Sequence, residues 1–249
     1  MIRFQVIVAF FLTGILLTEL LVSDSLFPIS VKEAALSGVS PSPNNDRPSW
    51  WYSRHQKVCE QVRNSNAGLL MIGDSIMQGW EDEGHALWQQ FYEKRQAVNL
   101  GFDGDRTDHL LWRLENGEVE GIAPKIAVVL IGTNDIAMGR SARHTASGIQ
   151  AILSALQRRL PDTKIVLLSI FPRSATRYDR LRQTIDATND LIAHYADSKQ
   201  VFYLDLTKQF VDEKGYIPKE LMPDFVHPSK LGYQIWAETM EETIEKLFY

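Results

Sequence analysis

The stretch Gly68-Leu-Leu-Met-Ile-Gly-Asp-Ser-Ile-Met-Gln-Gly-Trp80 carries an apolar run directly into a small polar turn. Leu69 to Ile72 has the length and apolarity of a strand buried on both faces, and Gly73 gives the backbone a tight exit from it. Asp74 and Ser75 then stand at the carboxyl end of that strand, where open α/β sheets place their ligand sites. Ser75 is the candidate nucleophile. In isolation the triplet also fits a plain strand-to-helix turn in which Ser75 only caps the next helix.

Four more runs share the same plan: Ala97 to Leu100, Ile126 to Ile131, Ile165 to Ile170 and Val201 to Leu204. Between them lie segments of helical spacing. One stripe is formed by Ile149, Ile152, Leu153, Leu156 and Leu160, with Arg158 and Arg159 in its last turn and Pro161 beyond. Another such segment begins after Ser229, with Leu231, Ile235, Met240 and Leu247 among its apolar positions. Regular alternation of strand and helix predicts right-handed crossovers and a parallel sheet covered on both faces. No internal repeat and no second domain boundary interrupts it.

Three further turns carry groups of matching chemistry. In Asn99-Leu-Gly-Phe-Asp-Gly-Asp-Arg-Thr107, Gly101 and Gly104 let backbone approach a ligand, and the Gly104 N–H is a candidate oxyanion donor. The alternative is an ordinary glycine-containing connection, and the lysine and Ser/Thr pair of a P-loop are absent. In Gly132-Thr-Asn-Asp135, Asn134 offers a neutral amide donor suited to developing negative charge, or an Asx turn that caps the next segment. Asp135 is expected to organise the loop. In Asp224-Phe-Val-His-Pro228, the spacing lets Asp224 reach one imidazole nitrogen while the other faces a hydroxyl, so His227 is the candidate base for Ser75. His55, His85, His109, His144 and His194 are expected on the surface or on helix faces. No second histidine or carboxylate cluster accompanies Asp224 and His227 at ligand spacing, so neither a metal nor a cofactor is expected.

With 249 residues, 45% of them hydrophobic, the chain can bury one large core. A net charge of -5 gives no basic footprint for a phosphate backbone, which argues against nucleic acid as a partner. Cys59 is the only cysteine; it excludes an intrachain disulfide and fits a buried structural thiol. Residues 4–22 are mostly apolar behind Arg3, so residues 1–23 are expected to be a signal peptide or an N-terminal membrane anchor, with Ser23-Asp24-Ser25 offering small residues for cleavage. Either places the protein outside the cytoplasm, secreted, periplasmic or tethered to the membrane. Residues 24–49, with prolines clustered at 41, 43 and 48, are expected to be a flexible linker, and residues 50–249 the folded domain. Trp50-Trp51-Tyr52 fits a lid on the core better than a sugar or lipid platform.

Taken together, Gly73-Asp-Ser75, Gly104, Gly132-Thr-Asn-Asp135 and Asp224-Phe-Val-His227 resemble, in order, four blocks of the SGNH or GDSL-type esterases and lipases, over about residues 67–245. Ile76 stands where that family usually has leucine. Asn99 to Asp135, including Leu111-Trp-Arg-Leu-Glu-Asn-Gly-Glu118 and Pro124-Lys125, is similar to the catalytic-subunit group of intracellular platelet-activating factor acetylhydrolases. The resemblance implies a flavodoxin-like three-layer α/β/α sandwich on a central parallel five-stranded sheet. It also implies Ser75 as nucleophile, His227 as base, Asp224 as its orienter, and the Ser75 N–H, the Gly104 N–H and the Asn134 side chain as oxyanion donors. The G-x-S-x-G elbow of other hydrolases is absent, since Met77 occupies the place of its last glycine. Those acetylhydrolase subunits are cytosolic, whereas this chain carries a hydrophobic leader. The function expected is hydrolysis of short-chain or acetyl carboxylic esters. The alternatives are O-deacetylation of envelope or extracellular glycans, lysophospholipase-type cleavage of lipid esters, and a catalytically silent binding module.

Overall fold

The structure is a computed structural model in which residues 39–249 are described. The leader expected at 1–23 and most of the linker expected at 24–49 lie outside those residues. Five parallel strands form the sheet: β1 (Leu69–Gly73), β2 (Ala97–Gly101), β3 (Ile126–Leu130), β4 (Lys164–Leu168) and β5 (Val201–Leu204). Their spatial order is β2-β1-β3-β4-β5, the flavodoxin-like arrangement. Register pairs Gly73 with Gly101 on one side and with Leu130 on the other.

Side chains of successive strand residues leave the sheet on opposite faces, and each face has its own core. Leu70 and Ile72, Ala127 and Val129, and Ile165 and Leu167 enter one core. It is covered by α1 (Pro48–Arg63), α4 (Thr107–Glu115), α6 (Ala142–Arg159) and α7 (Arg180–Ile192). Leu69 and Met71, Val128 and Leu130, and Val166 and Leu168 enter the other. That side is covered by α2 (Ser75–Gln78), α3 (His85–Phe91) and α8 (Lys230–Phe248). Burial on both faces is why β1, β3 and β4 read as continuous apolar runs. Each fully buried Leu or Ile among them contributes about 1.5–3 kcal/mol. The short α5 (Thr133–Ala137) comes after β3 at the carboxyl edge.

One expectation is corrected. The domain does not begin at Trp50, because α1 starts at Pro48 and the chain is already docked from Val39, which is buried. Ser42 donates its N–H to the backbone carbonyl of Asp108 (3.2 Å) and its hydroxyl to the Asp108 carboxylate (2.9 Å), and Asn44 is buried against the Asp105 carboxylate. The described part of the expected linker is therefore held by hydrogen bonds to carboxylates that themselves need partners. On α8, Leu231 is exposed and Ile235 and Leu247 only half-buried, while the inward face consists of Tyr233, Trp236, Ala237, Met240 and Ile244. Aromatic bulk fixes the rotation of that helix: Trp80 packs against both Tyr233 and Trp236, at 4.7 and 4.9 Å between ring centroids. Among the described residues no helix is long and apolar enough to cross a membrane.

Candidate active site

Strand order reverses beside β1, since β2 lies on one flank and β3 on the other; a crevice opens there at the carboxyl ends of the strands. At its floor a Cβ on residue 73 would lie 2.2 Å from the Leu130 carbonyl oxygen, so only glycine lets β1 end so close to β3. Asp74 then caps α2, its Oδ1 accepting from the Ile76 N–H (3.0 Å), which puts Ser75 on the first residue of the helix. From the opposite side the buried Tyr233 hydroxyl donates to the Ile76 carbonyl (2.6 Å). Burial, which disfavours the carboxylate, pushes the Asp74 carboxyl up to about 8, while the Ile76 N–H works the other way.

The other half of the site comes from the loop before α8. Ser75 Oγ lies 2.9 Å from His227 Nε2, and His227 Nδ1 lies 2.6 Å from Asp224 Oδ2. The second Asp224 oxygen accepts from the backbone N–H groups of Val226 (3.0 Å) and His227 (2.8 Å), which locks the carboxylate under the ring. Partial burial works against the Asp224 charge, but the His227 ring and these two N–H groups hold its carboxyl below the usual range. Phe225 takes a left-handed φ of 60° in this loop, and the Ser174 N–H donates to its carbonyl (3.1 Å). The His227 and Asp224 side chains are 47% and 55% exposed, so the relay opens to solvent. A cleft of about 310 Å³ beside it is lined by Ser75, Gln78, Asp82, Glu83, Asp103 and His227, among others.

Gly104 sits in the loop after β2 with φ of +78°, a left-handed conformation that favours glycine. The Gln78 side chain accepts from the Asp103 N–H (2.8 Å), joining this loop to α2. Asn134 Nδ2 donates to the carbonyl of Asp105 (2.9 Å), one residue past Gly104, and an amide nitrogen carries a second hydrogen beyond that one. Asp135 organises the same loops: its carboxylate accepts from the Thr107 N–H (2.9 Å), the Thr107 hydroxyl (2.6 Å) and Arg140 (2.7 Å). Ser75, His227 and Asp224 are thus linked in series, with Gly104 on the loop after β2 and Asn134 in α5, just past β3. A larger cleft of about 590 Å³, between α5, α6 and α7, holds no serine–histidine pair.

The expectation of His55 and His109 as surface side chains is corrected, because both are buried, although both do lie on helices. Burial lowers His109 to about 4, and Arg106 and Arg140 beside it push the same way. His55 lies against Cys59 and Glu118; burial disfavours its charge, yet these two partners raise it to about 9. Trp51 is fully buried with its indole N–H on Asp105 (2.7 Å), which makes it core, while Trp50 and Tyr52 are each 37% exposed. Sequence reasoning gave no role to Asp105, Arg113, Glu118 or Tyr233; the signal it passed over was an arginine set among Leu111, Trp112 and Leu114 on an amphipathic helix. Among the described residues no group of three or more His, Cys, Asp and Glu side chains is arranged to hold a metal.

The sequence profile of the GDSL-like lipase/acylhydrolase family matches residues 71–235, the span that runs from β1 through the Asp224–His227 loop. The chain belongs to that family. It is a hydrolase of ester bonds, as its relatives are. The human platelet-activating factor acetylhydrolase IB subunit alpha1 is 35% identical over 184 residues, covering 74% of this chain and 78% of that protein. The rat alpha2 subunit is 33% identical over 198 residues, covering 79% and 84%. Among solved structures, a GDSL-like lipase from Bacteroides thetaiotaomicron superposes with a TM-score of 0.66 at 21% identity, covering 78% of this chain and 97% of that one. An acetylxylan esterase from Geobacillus stearothermophilus superposes at 0.59 and 21% identity, covering 76% and 97%. These last two likenesses speak for the fold of this GDSL hydrolase, an α/β sandwich on a parallel sheet.

Proposed function

We propose that Ser75 is the nucleophile of this ester hydrolase, His227 its general base and then acid, and Asp224 the group that orients the imidazole. The observation that carries it is the continuous relay from Ser75 Oγ to His227 Nε2 (2.9 Å) and from His227 Nδ1 to Asp224 (2.6 Å). A serine hydroxyl needs such a base because it holds almost no alkoxide at neutral pH. Ser75 Oγ attacks the ester carbonyl as His227 takes its proton. The Ser75 N–H, the Gly104 N–H and the Asn134 amide receive the oxyanion. Collapse expels the alcohol, protonated by His227, and leaves an acyl-enzyme. Water, deprotonated by His227, attacks that ester, and the carboxylic acid and free Ser75 are released.

The acyl group is short, acetyl in the first instance; the names of the acetylhydrolase and acetylxylan esterase relatives support this. A second reading, O-deacetylation of glycans, is favoured by the polar rim of the cleft, where Gln78, Asp82, Glu83 and Asp103 offer hydrogen-bonding groups to sugar hydroxyls. The leader at residues 1–23 supports export or anchoring, with the substrate met outside the cytoplasm. The test is acetate release from acetylated xylan, p-nitrophenyl acetate and a phospholipid acetyl ester, run beside Ser75→Ala. Turnover of one of these at least about 10²-fold above the variant supports the reading and names the leaving group. Equal release by both proteins contradicts it.

A further inference from the structure

The fully buried guanidinium of Arg113, on α4, touches both the strand end before Ser75 and the loop after β2 without lining the cleft. Its Nη2 donates to the Gly73 carbonyl (3.1 Å), immediately before the Asp74-Ser75 turn. Its Nε donates to Asp105 Oδ2 (2.8 Å), one residue past Gly104, and Nη1 is paired with the buried Glu118. The guanidinium lies 3.8 Å over the Phe102 ring. The Asp105 carboxylate also accepts from the Trp51 indole (2.7 Å) and Asn44 (3.4 Å), while its backbone carbonyl receives the Asn134 amide (2.9 Å). One hydrogen-bonded chain therefore runs from the strand end that presents Ser75, through Arg113 and Asp105, to Asn134.

Stability alone does not account for this arrangement. Buried ion pairs regain little beyond their desolvation, and apolar residues of similar volume often replace them without loss. What an arginine fork supplies is fixed geometry in two directions at once. We propose that Arg113 and Asp105 are positioning residues, which hold the Ser75 turn at a set distance from the Gly104 N–H and the Asn134 amide. This rests on the roles given above to Ser75, Gly104 and Asn134. A displacement of about 1 Å between nucleophile and donors costs on the order of 10²-fold in rate, so a small slackening of the clamp has a large kinetic effect.

The experiment uses the full chain carrying Asp105→Asn, Asn134→Ala, or both. Asp105→Asn keeps an acceptor for Trp51 and leaves Arg113 paired with Glu118, so it strands no buried charge, whereas Arg113→Met takes the guanidinium from two buried carboxylates at once. Active sites are counted by fluorophosphonate labelling, and kcat per labelled site and KM are measured with p-nitrophenyl acetate. The expected result for Asp105→Asn is a fall in kcat of about 10- to 100-fold with KM within about threefold. The double variant is expected to lose at least about fivefold less than the product of the two single losses, because the two residues act on the same donors. An unchanged kcat per labelled site with only a lower melting temperature, or fully multiplicative losses, overturns the proposal. Should Asp105→Asn fail to fold, Trp51→Phe removes one donor to Asp105; a lowered kcat at unchanged KM supports positioning, and an unchanged kcat overturns it. A wild-type protein that does not label at Ser75 fails the nucleophile assignment instead, which separates the two.

Discussion

Ser75 Oγ and His227 Nε2 stand 2.9 Å apart although 152 residues separate them in the chain. The contact exists because β1 lies inside the sheet, between β2 and β3, and the loop before α8 returns across its carboxyl end. Asp224 completes the relay from three residues upstream, and its position under the ring is set by two backbone N–H groups. Asp224→Asn removes the charge that steadies the His227 imidazolium and exposes the wrong tautomer to Ser75. Its kcat is expected to fall on the order of 10³- to 10⁴-fold with folding intact, measured by steady-state kinetics beside a melting curve.

Asn134 presents a neutral amide whose one defined bond goes to the Asp105 carbonyl. Loss of a single oxyanion donor costs about 10²- to 10³-fold in kcat, so Asn134→Ala is expected to be severely but incompletely impaired, with KM little changed. Near-normal turnover of that variant removes Asn134 from the proposed role.

Tyr233 is buried and spends its hydroxyl on the Ile76 carbonyl, in the first turn of α2. Tyr233→Phe leaves that carbonyl without this donor, and a buried unsatisfied acceptor costs about 1–3 kcal/mol. The expected outcome is a fall in unfolding free energy of that size by denaturant titration. Activity is expected to fall as well, since the same turn carries Ser75.

Buried His109 is held down to about 4, whereas an unfolded chain takes up a proton near the ordinary histidine value of 6.5. Between those values the unfolded state binds more protons, so unfolding free energy rises with pH there. The His109 contribution is thus complete above about 6.5 and is lost as pH falls through 4, at a slope approaching about 1.4 kcal/mol per pH unit for one proton. Because Asp74 and Asp105 titrate with the opposite sign, the check is the difference between wild type and His109→Gln across pH 4 to 7. That difference is expected to shrink toward low pH, and a flat difference contradicts the assignment.

How much of this was legible depends on what each residue's environment demands. Strands buried on both faces must be apolar throughout, so Leu69 to Ile72 announces itself, whereas the edge strand Val201–Leu204 is buried only at Val201; Ile131 and Ile170 lie past the strand ends because the chain has already turned into the site. The meeting of Ser75 with His227 and Asp224 was legible because few residue types offer a hydroxyl, an imidazole and a carboxylate in that order. On α8 apolarity alone does not mark the inward face, because Leu231 and Leu247 are as apolar as Tyr233 and Trp236, and only the packing of Trp80 decides between the two faces. The docking of Ser42 and Asn44 could not be read, since a proline-rich segment looks like a tether until the buried carboxylates of Asp105 and Asp108 are known to need donors. Arg113, Asp105 and Glu118 escaped for the same reason: three charges outside the cleft gain meaning only when folding brings them together.

The central claim is that one hydroxyl, Ser75, is made nucleophilic by His227. The most direct measurement is fluorophosphonate labelling of the wild-type protein, Ser75→Ala and His227→Ala, with the modified residue located by mass spectrometry. The expected result is one label per wild-type chain on Ser75, none on Ser75→Ala, and labelling of His227→Ala slowed by at least about 10³-fold. Equal labelling of the wild type and Ser75→Ala, or a label on another residue, contradicts it.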